Sequence, residues 1–263
     1  MMTASAYNAR LEFILDEKSV ITSNHSEIRC PDKQNNYAIW VSRTNSISTD
    51  PTYKSYTTLS AYREAHPEYF PHLTFKGEIT VEGPECIPGE QASTVVYQNG
   101  GSNMMGMIID VEDGAKLNCP NGVALYSGNN NLITLNGGLI TGATGIGLRG
   151  GKLVVPAKSN VTVLGTGYAE APVQYVSSGW ATCCSNGSAL LILAQDGYGS
   201  NLPFSTTENT QEVDIESGRF ISLKNEPIAS IAMWKSVPYA KGNVYTRIEK
   251  FVNGGYLSQF PDS

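Results

Sequence analysis

Five carboxylates fall at strand-like spacing in two short stretches: Asp110 and Glu112 in IIDVEDG, and Glu212, Asp214 and Glu216 in QEVDIESG. Residues two apart in an extended strand point the same way, so each set lines one face. Two carboxyl groups held about 5 to 9.5 Å apart are the equipment of glycoside hydrolysis, one protonating the leaving oxygen and the other attacking or activating water. If the chain cleaves a glycan, Asp110, Glu112, Asp214 and Glu216 are the residues expected to do it. A lyase would add a Lys or Arg base, and only Lys116 and Arg219 lie near these carboxylates. The competing reading is an acidic, solvated face that keeps a sheet soluble, and the absence of a basic partner favours it.

The other chemistries have less to stand on. His25, His66 and His72 all lie near the N-terminus, outside the repeat, without HExxH, His-x-His or calcium-loop spacing, so they read as solvated or locally bonded. No G-x-S-x-G elbow occurs. Gly145-Ile-Gly147-Leu-Arg-Gly150 matches a dinucleotide fingerprint in letters, but the strand KLVV follows where a phosphate site needs a helix N-terminus, so these glycines read as corner residues. Neither a cofactor nor a metal is expected. Aromatic side chains are the stronger candidates for binding. Trp180, Tyr198, Trp234 and Tyr239 lie in loops or at loop edges, where a ring offers one apolar face and a polar tip to a sugar or a protein partner.

Composition narrows the partners. A net charge of -6 and a pI near 5.1 exclude a basic face for nucleic acid and disfavour an anionic membrane surface. Cys30, Cys86, Cys119, Cys183 and Cys184 are odd in number and lack CxxC spacing, which predicts free, mostly buried thiols. The start, MMTASAYNARLEFILDEK, has no signal-peptide pattern, and no run of about 18 apolar residues occurs, so the chain is expected to be soluble and unprocessed.

The elements that would position these residues are short strands. From 107 to 167 apolar residues alternate with polar ones between Gly, Asn and Asp clusters, and no helical period appears. A degenerate turn motif recurs as VEGPE (81–85), VEDGA (111–115), LNGGL (135–139), AQDGY (194–198), IESGR (215–219) and VNGGY (252–256). Its starts fall 30, 24, 59, 21 and 37 residues apart, and VTVLGTG (161–167) would divide the longest gap into two ordinary steps. Such periods suit successive coils of a parallel β-helix, with Gly at the corners and Asn129, Asn130, Asn131 and Asn136 laddering between coils. A β-sandwich would show closer, shorter units. The expected fold is therefore all-β: a right-handed parallel β-helix over 73–263, behind an irregular region of strands over 1–72. That N-terminal region carries one short helix within 57–65, read as a solvated excursion ended by Pro67. Ile109, Val111, Ile133, Leu135, Val161, Val163, Leu191, Leu193, Val213, Ile215 and Phe220 should be buried in stacked rows.

After about Val173 the pattern loosens into WATCCSNGS, the apolar strand ALLILAQ and longer interruptions, and the chain ends on a turn motif with no polar cap. A solenoid end needs covering, which predicts a homo-oligomer, foremost a trimer, or a fragment of a longer fibre.

The segments NLITLNGGLITGATGIGLRGGKLVV, NGSALLILAQDGYG and EVDIESGRFIS resemble the degenerate β-helix coils of bacterial cell-surface proteins and of phage fibre and tailspike proteins, over roughly 75–260. The resemblance implies an elongated homotrimeric component of a virion or cell surface, contacting other virion or surface proteins and recognising a host glycan. Some members are polysaccharide depolymerases, and none of their catalytic residues matches this chain one by one. A depolymerase and a bacterial adhesin are the alternatives to an attachment protein.

Overall fold

Ile109 and Val111 are fully buried while Asp110 between them is half-buried, and the same alternation repeats in the strands that flank this one. The structure is a computed structural model that describes residues 2–4, 10–14, 37–41, 55–56, 59–67, 70, 72–81, 92–98, 106–128, 131–148, 150–167, 187–193, 211–223, 231–234, 246–250 and 257–259. In chain order the strands are β1 (Met2–Ala4), β2 (Arg10–Ile14), β3 (Tyr37–Val41), β4 (His72–Lys76), β5 (Glu78–Thr80), β6 (Thr94–Gln98), β7 (Ile108–Val111), β8 (Lys116–Ser127) and β9 (Leu132–Leu135). They continue as β10 (Leu139–Leu148), β11 (Lys152–Val155), β12 (Thr162–Gly165), β13 (Leu190–Leu193), β14 (Gln211–Ile215), β15 (Arg219–Ser222), β16 (Ile231–Trp234), β17 (Thr246–Lys250) and β18 (Leu257–Gln259). Among the described residues one helix, α1 (Leu59–Ala65), joins them.

Every described pairing is parallel. A seven-stranded sheet runs β17-β14-β11-β9-β7-β4-β2, and neither sheet closes on itself among the described residues. The eleven-stranded sheet resolves into two rows. Its first row is β5, the opening halves of β8 and β10, β12 and β15; its second is β1, β3, β6, the closing halves of β8 and β10, β13, β16 and β18. The chain visits the seven-stranded sheet, then the first row, then the second, and begins again: β4-β5-β6, β7-β8, β9-β10, β11-β12-β13 and β14-β15-β16.

The circuits are held in register by apolar rows. Leu73, Ile109, Ile133, Leu153 and Val213 pair in succession across the seven-stranded sheet, and Ile79, Leu117, Ile140, Val163 and Phe220 across the first row. All ten are buried in one core. Shape fit between like residues stacked on neighbouring strands, together with removal of their area from water, is what fixes the register. Each of the expected core residues whose side chain is described is buried. Leu193 lies outside the described side chains. Leu191 is buried on the opposite side of β13 from the core, where Leu190 and Ile192 point inward. That reversal has a physical cause: Ala189–Ile192, like Gly122–Gly128 and Gly142–Leu148, are buried on both faces, so alternation carries no information about which side is inside.

The corner from the seven-stranded sheet into the first row is short in four of the five described circuits. Gly77, Gly114, Gly138 and Gly218 take it with positive φ, a conformation that a Cβ disfavours, and Pro156–Val161 makes the one longer version. VEDGA, LNGGL and IESGR occupy this corner. VTVLGTG is largely strand β12 rather than a corner, and the other copies of the motif lie outside the described residues apart from Val81, so the spacing of the motif does not measure one circuit. Any sharp turn recruits Gly, whichever corner it serves. Gly145 and Gly147 are strand residues of β10 rather than corner residues: a Cβ would meet Ala189 O at 2.5 Å at the first and the Tyr126 ring at 3.2 Å at the second.

The boundary expected between residues 72 and 73 falls at the start of β4, and strands from both sides of it share the two sheets. Helix α1 forms as expected, but it is not a solvated excursion. Tyr62 is fully buried and Phe70 nearly so, with Tyr56 and His66 edge-on or tilted against Tyr62 and the Arg63 guanidinium over the Phe70 ring.

Candidate functional site

The outer face of the seven-stranded sheet carries the sequence-selected carboxylates. Asp110 sits on β7 between Thr74 and Thr134 of the neighbouring strands. Its Oδ2 accepts from His72 Nε2 of β4 at 2.5 Å, both side chains being about a fifth exposed. Glu112, two residues on, lies at the corner after β7, where its Oε1 accepts from Asn136 Nδ2 at 3.0 Å. The neighbouring Asp113 accepts from Asn160 Nδ2 at 2.8 Å. Asn136 thus ladders to the preceding circuit, as its residue type suggested. Asn131 does so too, accepting from Met107 N at 2.9 Å and donating to Ser127 Oγ at 3.0 Å. Asn129 and Asn130 lie outside the described residues.

The four candidate catalytic carboxylates are brought together only in part. Asp110 lies on β7, and Glu112 follows the last residue of that strand at the corner. Asp214 continues the row Asp110, Thr134, Val154, Asp214, three strand steps from Asp110. At about 4.8 Å per step that is about 14 Å, too far for the two to flank one glycosidic bond. Glu216 follows β14 as Glu112 follows β7, its N–H donating to Val155 O at 2.8 Å.

The basic residues also sort differently from their sequence proximity. Lys116 Nζ is 3.3 Å from Glu78 Oε2 on the first row, and Arg219 donates to Thr162 Oγ1 at 3.0 Å. The side-chain partner of Asp110 is His72, which the sequence reads as solvated or locally bonded. The available signal was alignment of HLTF with IIDV, whose inward Leu73 and Phe75 match Ile109 and Val111.

Of the aromatic candidates, Trp180, Tyr198 and Tyr239 lie outside the described residues, as do His25 and the cysteines other than Cys119. Trp234 ends β16, where it pairs with Leu193 of β13, its side chain lying outside the described ones. Cys119 is buried, faces the core and forms no disulfide. Among the described residues no group of three His, Cys, Asp or Glu side chains is placed to hold a metal ion, and no helix is long and apolar enough to cross a membrane. No family model, no curated protein and no solved structure matches the chain.

Proposed function

We propose that the chain is a right-handed parallel β-helix serving as a structural attachment component of a phage fibre or comparable virion appendage, assembled as a homotrimer and recognising a host-surface glycan. The observation that carries this reading is the fixed order in which the chain visits sheet, first row and second row, with in-register apolar stacks at each visit. Repetition of that kind extends a stable surface along one axis. Right-handedness follows from the near-universal hand of parallel crossovers. The acidic residues fit a scaffold role, since Asp110, Glu112 and Asp113 each bond a side chain from another circuit.

Glycan recognition is assigned to the aromatic residues around the last strands of the second row. Leu193 and Trp234 pair in register, and the chain leaving each carries a tyrosine five residues on, Tyr198 and Tyr239. A glycan array followed by a reducing-end assay tests the reading: binding without release of product is expected, weakened by Trp234→Ala. A depolymerase is the second reading, favoured by Asp110 and Glu112 standing two positions apart in the sequence. Product release abolished by Asp110→Asn would put it in first place. Sedimentation equilibrium should give three times the 28.3 kDa chain mass, and a monomer at micromolar concentration would remove the trimer.

A further inference from the structure

We draw no further inference here: the strongest candidate, the His72–Asp110 pair on the outer face of the seven-stranded sheet, is two side chains on an open strand face, and nothing in the structure shows what ligand or partner would sit against it.

Discussion

Asn160 bonds Asp113 across an entire intervening circuit, passing over Gly137. The bond is possible because Gly137, between them, has no side chain: a Cβ there would stand 2.6 Å from Asn160 Oδ1 and 2.8 Å from Asp113 Cα. Gly137→Ala should therefore destabilise the protein by about 1–3 kcal/mol through overpacking and loss of the bond. Gly114→Ala is the control, because that Cβ meets nothing within 4 Å and only the φ of 81° is strained, at about 1–2 kcal/mol. Adding Asn160→Ala separates the two: it should relieve part of the Gly137→Ala defect and none of the Gly114→Ala defect. Urea denaturation of the single and double variants reads this directly, and equal effects of Asn160→Ala in both backgrounds would refute the crossing.

Asn131 is fully buried and holds the Met107 N–H of the preceding circuit. Removing its amide leaves that donor buried without its acceptor, a loss of about 1–3 kcal/mol. Asn131→Ala should lower the thermal midpoint by several degrees. An unchanged midpoint would mean that water replaces the amide.

Leu153 and Val154 are neighbours on β11 with opposite surroundings, the first fully buried and the second part of the outer face. Leu153→Ala should cost about 2–5 kcal/mol, while Val154→Thr should stay within about 0.5 kcal/mol. Comparable losses at both positions would show that the outer face of this sheet is covered.

The His72–Asp110 bond joins partly exposed side chains, and such pairs contribute about 0.2–1 kcal/mol. A double-mutant cycle with His72→Ala and Asp110→Ala should return a coupling in that range. A coupling of several kcal/mol would place the pair in a buried, rigid environment instead.

What the sequence made legible was one face at a time. β7, β9, β11 and β14 alternate cleanly because one side meets water, and their inward residues were readable without any structure. The second row was not readable in that way. Strands buried on both faces show an unbroken apolar run, so β13 could be recognised as buried while its inward residues could not be told from its outward ones. The candidate site suffered from distance. Whether His72, Asn136 or Asp214 neighbours Asp110 or Glu112 depends on how many residues each circuit takes, and the spacing of the turn motif does not supply that number. Gly145 and Gly147 mislead for a related reason: a glycine that makes room for a tyrosine ring or a carbonyl looks the same in sequence as one that turns a corner.

The all-parallel pairing carries a kinetic consequence. No described strand pairs with its neighbour through a tight hairpin, so each contact must close a long loop before apolar burial repays the lost chain entropy. The loops are shortest where β7, β9 and β11 follow one another, with Ile109, Ile133 and Leu153 coming into line. These strands are the natural nucleus. Zippering then proceeds outward in both directions, each new strand templated by the one before, so the chain should fold slowly and lose structure from its ends while the centre still resists hydrogen exchange.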